Sequence, residues 1–379
     1  MIRGAVLVFA VALLATGCGS GGNAPSAADV APANARALLS LPPQPEQRLT
    51  RRALRYLPGG AAVLALVDRG AWSRAAGSRV QLAELADGRL VAYAQLKDAK
   101  RLDAAGLVHE RVRGWTVFAP TKSTLDEARS KRPLSDTAWF GPASAAAGTS
   151  GLTAVAPGWR AYEAADGGAR RSTHGRGHDA PQPLTRDIPP DAVAAASSTH
   201  GAELVHALPL AGLGVRPSDL AAAAPRGGVL YARPGAPIPS ITVLAQDGDV
   251  VVARRVVHEL APGAASGVRE DVNGLPLEHV ATGPVDLLYG RVGRTLVVTN
   301  DPQIKLGGEH LEPDGLPGST SSWRYVDVAR ARNALTALTL IGGTGSLLRR
   351  FDAEFAGLST FLTFTTHERG RQTVTVVLT

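Results

Sequence analysis

The chain has 379 residues, 45% of them hydrophobic, and 40 Lys and Arg against 33 Asp and Glu give a formal net charge of +7. This is a globular composition with length for two ordinary domains, and it excludes a disordered or collagen-like chain. The single cysteine excludes an intramolecular disulfide, and the basic excess is scattered arginine with few lysines (97, 100, 122, 131 and 305), which speaks for attraction to anionic lipid or wall polymers and against nucleic acid.

Residues 1–17 open with Arg3 and continue as an apolar run from Ala5 to Ala15. That length suits the hydrophobic region of a secretory signal and falls short of the roughly 20 apolar residues of a membrane span. Leu14-Ala15-Thr16-Gly17-Cys18 follows. It resembles a bacterial lipobox, in which the cysteine takes a diacylglycerol thioether and becomes the mature N-terminus. Cys18 is therefore the expected lipid-attachment residue, with palmitate-type acyl chains holding the chain on the extracytoplasmic face of the membrane. Residues 18–52, rich in Gly, Ser and Pro, read as a flexible tether reaching on the order of 30 Å, with one short helix at Ala33–Leu41.

The folded part is expected from residue 55. Ala62–Val67 reads as a buried strand, Gly88–Ala94 as another, and Asp98–Ala104 as a helix. His109–Arg113 and Trp115–Phe118 form a hairpin about Gly114, and Thr124-Leu125-Asp126-Glu127 has capping-box spacing for a helix to Lys131. Leu152–Ala156 and Arg160–Ala164 are strand candidates; residues 166–187, with His174, His178, Arg170, Arg171 and Arg176, read as a polar loop between units. Ile188–Val193 restarts the pattern. Strands are expected at Gly228–Tyr231, Ile241–Ala245 and Val250–Val252, then a helix at Arg254–Leu260. A hairpin turn at Asn273-Gly274 precedes paired strands at Val285–Gly290 and Thr295–Thr299. Trp323–Val328 leads into a helix at Ala329–Leu338, a second amphipathic helix carries Phe351 and Phe355, and a hairpin closes the chain.

The two halves echo one another. Leu57-Pro58-x-x-Ala61 returns as Ile188-Pro189-x-x-Ala192, Arg111–Phe118 as Arg291–Val298, and Pro133–Trp139 as Pro317–Trp323, in the same order. The expected fold is α+β: two related units, 55–180 and the longer 187–379, each an antiparallel sheet with helices packed on one face. The opening strand at Ile188-Pro189-Pro190-Asp191-Ala192, the aromatic strand Trp323-Arg324-Tyr325-Val326-Asp327-Val328 and the closing hairpin make residues 55–379 resemble the domain of unknown function 3352 family of bacterial envelope proteins. Such proteins are often lipoproteins, and the resemblance implies no activity and no functional residue.

No familiar chemistry is spelled out. His109-Glu110, His258-Glu259 and His367-Glu368 each lack the second histidine of a metalloprotease helix, and no Gly-x-Ser-x-Gly or Ser-x-x-Lys occurs. Gly342-Gly343-Thr344-Gly345-Ser346 lacks the lysine of a phosphate loop, and the tryptophans at 72, 115, 139, 159 and 323 suit packing better than ligand stacking. The expectation is a non-enzymatic, lipid-anchored binding or scaffold module without catalytic residue, metal or cofactor, whose partners are the membrane through Cys18 and an envelope protein or wall ligand. The alternatives are a solute-binding lipoprotein of an importer and an extracytoplasmic hydrolase.

Overall fold

Ala37-Leu38-Leu39-Ser40-Leu41 is strand β1, in a computed structural model that describes residues 26–42, 48–69, 79–129, 132–148, 151–165, 167–201, 204, 217–235, 238–260, 267–281, 286–342 and 345–379. Cys18 and Trp72 lie outside the described residues. The chain divides into two compact units, Met1–Pro43 with Ala71–Gly141, and Gln44–Gly70 with Pro142–Thr379.

In the first unit β1 pairs antiparallel with β2 (Val80–Glu84), β2 with β3 (Leu90–Ala94), β3 with β5 (Trp115–Ala119), and β5 with β4 (Val108–Val112). Short helices α3 (Lys100–Ala104) and α4 (Lys122–Glu127) follow β3 and β5. Leu39, Leu41, Leu82, Tyr93, Leu102 and Phe118 are fully buried. The expected tether is thus folded from residue 26 to 41: a 3-10 turn at Ala27–Asp29 is capped by Ser26, whose hydroxyl accepts the Ala28 N–H. The expected helix at 33–41 is β1, because its leucines reach a core through pairing with β2. Helix α4 is capped by Thr121, which accepts from the Thr124 N–H at 3.3 Å, and it stops at Glu127, short of Lys131.

The second unit opens with α1 (Arg48–Arg55) and α2 (Gly60–Arg69). The expected strand at 62–67 is α2; an apolar run of six residues fits either state, and here Gly60, Val63, Leu64 and Val67 bury a helical stripe. Leu57–Gly60 is the turn between the helices. Gly59 holds φ +80°, and a Cβ on Gly60 would lie 1.7 Å from the Leu54 carbonyl oxygen. Its expected counterpart, Ile188–Ala192, opens no helix, so this echo does not mark equivalent elements.

The remaining elements of this unit are β6 (Leu152–Ala156), β7 (Arg160–Ala165), β8 (Gly168–His174), β9 (Ala194–Ser198), β10 (Gly228–Arg233), β11 (Ser240–Gln246), β12 (Val268–Val272), β13 (Leu275–Ala281), β14 (Asp286–Val292), β15 (Thr295–Thr299), β16 (Ser322–Asp327), β17 (Thr360–Glu368) and β18 (Arg371–Leu378). The helices are α5 (Phe140–Ala147), which begins at the border of the units, α6 (Pro217–Ala223), α7 (Val250–Leu260), α8 (Val328–Gly342) and α9 (Gly345–Phe355). The strands form one antiparallel sheet in the order β6-β7-β8-β18-β17-β16-β9-β10-β11-β15-β14-β13-β12. The expected inter-unit loop contains β8, held between β7 and β18. Residues 250–252, expected as strand, are the first turn of α7, whose N–H groups at Val251 and Val252 are accepted by the Asp249 carboxylate.

The sheet's two faces are covered differently. Ala245, Leu296, Tyr289 and Val280 meet α6 and α7 on one face. Arg254 Nε on α7 donates to the Tyr289 hydroxyl at 3.0 Å. On the other face Tyr231, Leu244, Leu288, Val297, Trp323, Leu362 and Phe364 form a core closed by Ile188 and by Ile304, Leu311 and Leu316 of the long connection from β15 to β16. Strand alternation sends neighbouring residues to these separate cores.

Trp323 is buried on β16, whereas Trp139 stands in the turn before α5, so the third echo does not mark equivalent positions either. In the closing hairpin Phe361 faces Leu378 and Leu362 faces Val377. Val376 and Leu378 therefore point away from Leu362 and Phe364, and Phe355 packs on Phe361 with ring centroids 5.7 Å apart.

Candidate functional site

The end of β10 carries a partly buried polar network. Tyr231 and Arg233 alternate onto the face opposite α6 and α7. Arg233 Nε and Nη2 donate to the two oxygens of Asp191 at 2.9 and 2.8 Å, and Nη1 donates to Asp301 at 2.9 Å. Asp301, 4% exposed, also accepts the Gln303 N–H at 2.8 Å, while its own N–H donates to the Thr299 hydroxyl at 2.9 Å. The Thr299 and Thr242 hydroxyls are 2.7 Å apart. Burial pushes the Tyr231 phenol up to about 12 and keeps it neutral.

Tyr231 and Arg233 wall a cavity of about 480 Å³ together with Asp187, Asn273, Gln303, Lys305 and Glu309. Asn273, at φ +54° in the β12–β13 turn, donates through Nδ2 to the carbonyls of Pro302 and Ile304 and pins the β15–β16 connection. Asp187 accepts the Gly307 N–H at 2.7 Å; burial raises its pKa, with that one hydrogen bond opposing. The Asn273 amide, the Asp187 carboxylate and the Arg233 guanidinium, each already held by other contacts, suit a hydroxyl-rich ligand, since their orientation is settled before binding.

A second cavity, about 240 Å³, lies beside the end of β9 and is lined in part by His178, Gln182, Ser198, Thr199, His200 and Arg226. The Thr199 hydroxyl lies 3.0 Å from His200 Nδ1 and donates to the Ser321 carbonyl at 3.2 Å.

The polar candidates of residues 166–187 are not gathered into one site. Arg170 pairs with Glu163, Arg171 donates to the Pro58 carbonyl at 3.4 Å, and His174 stacks on Trp159 at 4.3 Å. His178 alone of these lines the second cavity. In the 342–346 segment, residues 343 and 344 lie outside the described residues, and Gly345 starts α9. Sequence reading missed Arg233, Asp191 and Asp301, which are scattered over more than a hundred positions and carry no motif. The one available signal was the long polar stretch 300–321 between two strands.

The fold is thus of the α+β class, built on a large antiparallel sheet. No family model matches the chain, and no curated protein matches it. Among solved structures it is similar to crystal forms I, III and IV of TP0453, each at 10% identity and a TM-score of 0.18. The matches cover 74, 74 and 73% of this chain and 95, 96 and 92% of the others. A likeness of that size carries no weight for fold or function. Among the described residues no helix is long and apolar enough to cross a membrane, and no group of three or more His, Cys, Asp or Glu is placed to hold a metal.

Proposed function

We propose that the protein is an extracytoplasmic lipoprotein, anchored through Cys18, that works as a non-enzymatic binding module for a hydroxyl-rich wall ligand. The observation that carries the binding role is the 480 Å³ cavity whose Arg233 is held by Asp191 and Asp301 before any ligand arrives. The anchor rests on the apolar run and Leu14-Ala15-Thr16-Gly17-Cys18. The likeness to the domain of unknown function 3352 family belongs to the same proposal.

The proposal includes an internal duplication. The orders β1-β2-β3-β5-β4 and β9-β10-β11-β15-β14 agree, and each copy puts a helix after its third strand. Arg111–Phe118 and Arg291–Val298 fall on corresponding hairpins, with β12 and β13 as an addition in the second copy. This agreement supports two related α+β copies with boundaries other than 55–180 and 187–379.

Calorimetric titration of the full chain in detergent with soluble wall oligosaccharides tests the binding role. Saturable binding is expected, with at least a tenfold loss on Lys305→Ala plus Gln303→Ala, both exposed and outside the core. No binding by the unaltered chain, or equal binding by the double variant, would overturn the assignment.

A further inference from the structure

Asp247, the residue after β11, gathers three arginines of the second unit: Arg226, and Arg291 and Arg294 from the β14–β15 hairpin. Arg294 donates through Nε and Nη2 at 2.8 and 2.5 Å, Arg226 through Nη1 at 2.5 Å, and Arg291 approaches to 3.9 Å. The Asp247 N–H also donates to the Arg294 carbonyl at 2.8 Å, which fixes the carboxylate at the centre of the group. The three arginine side chains remain 65, 49 and 68% exposed for 226, 291 and 294, whereas Asp247 is only 19% exposed. A guanidinium has five donors and a carboxylate about four acceptor sites, so most of these donors are left for another anion. The charge is unbalanced in the same sense, three cations to one carboxylate. The polar cavity beside β9 adjoins this cluster, because Arg226 and Gln246 line it with Ser198, Thr199 and His200.

We infer that Arg226, Arg294 and Arg291, with the adjoining hydroxyl-lined cavity, form a binding site for a phosphate monoester or phosphodiester, on a lipid headgroup or on a soluble or polymeric phosphate. Guanidinium forks match the geometry of phosphate oxygens, and the anion would relieve the repulsion among the arginines. This site is separate from the Arg233 cavity and independent of what that cavity holds.

The test uses the full chain carrying Cys18→Ser, so that no anchor contributes to vesicle retention. Inorganic phosphate and glycerol phosphate are titrated calorimetrically at low ionic strength, and co-sedimentation is measured with phosphatidylcholine vesicles with and without phosphatidylglycerol. Saturable binding of at least one probe is expected, falling at least tenfold in Arg226→Gln plus Arg294→Gln and unchanged in Arg350→Gln. Asp247→Asn removes the competing carboxylate and should tighten binding several-fold, a change that loss of a purely structural ion pair would not produce. Retention only on phosphatidylglycerol vesicles would assign the headgroup, and binding of the soluble esters alone the free or polymeric phosphate. Failure of every probe to bind, or Asp247→Asn binding no more tightly than the unaltered protein, would overturn the site.

Discussion

Arg233 has a different task from the arginines around Asp247, because one of its two acceptors is buried. Truncating Arg233 to Ala leaves the Asp301 carboxylate with the Gln303 N–H as its remaining bond, and breaking a buried pair in this way costs about 3 kcal/mol. Asp191 is 47% exposed, so Asp191→Asn should cost less than about 1 kcal/mol. Urea denaturation of the two variants checks the contrast; equal costs would mean that Asp301 is not held by Arg233. His279 tests a pH dependence. Burial lowers its pKa, but a hydrogen bond with Glu270 and the Asp286 carboxylate beside the ring outweigh burial and raise it above the ordinary value. A histidine raised in the folded state adds stability that is fully present below its unfolded pKa and lost as pH rises through the folded one. The advantage of the unaltered protein over His279→Gln should therefore shrink between pH 6 and 8. It should stay below about 1 kcal/mol, since the side chain is 27% exposed. An imidazole titrating by NMR at or below the usual histidine value would refute this. The tryptophans were less legible. Trp139 and Trp323 end similar stretches, yet only Trp323 enters the large core, so Trp323→Ala should cost about 3–5 kcal/mol and Trp139→Ala clearly less.

Among the elements, β18 is the most consequential because it lies inside the sheet, between β17 and β8. Val377 contributes to one core and the buried Val376 and Leu378 point to the other face. Each large apolar side chain contributes roughly 1.5–3 kcal/mol when fully buried, and the exposed edges of β8 and β17 would lose their partner as well. Truncation after Arg369 should abolish cooperative unfolding of the second unit, read by circular dichroism on heating; an unchanged midpoint would make β18 an accessory. The closing hairpin was legible because alternating apolar residues flank Arg369-Gly370. β9 was not: Ala194-Ala195-Ala196-Ser197-Ser198 has no strand signature, and it is a strand because β10 and β16 pair with it on both sides. Charged residues stand on two strands that each have one sheet partner within their unit, His109, Glu110 and Arg111 on β4 and Arg269, Glu270 and Asp271 on β12. Charges in such positions discourage further strand pairing.

At the scale of the whole molecule, the anchor makes a prediction that needs no knowledge of the ligand. The full chain expressed in a bacterial host should partition into the detergent phase, and Cys18→Ser should stay in the aqueous phase. Soluble, unmodified protein at full yield from the unaltered gene would refute the anchor. The basic excess noted in the composition has a structural expression in the Asp247 cluster, which composition could not locate because its arginines are separated by as many as 68 positions. The sequence by itself determined the α+β class, most hairpins and the amphipathic helices, since these follow from local periodicity and turn chemistry. Tertiary structure alone decided that Ala37–Leu41 is a strand and residues 62–67 belong to a helix, because a short apolar run adopts whichever state its neighbours bury. It also decided the Arg233 and Asp247 clusters, whose members meet only when antiparallel pairing brings distant strand ends together.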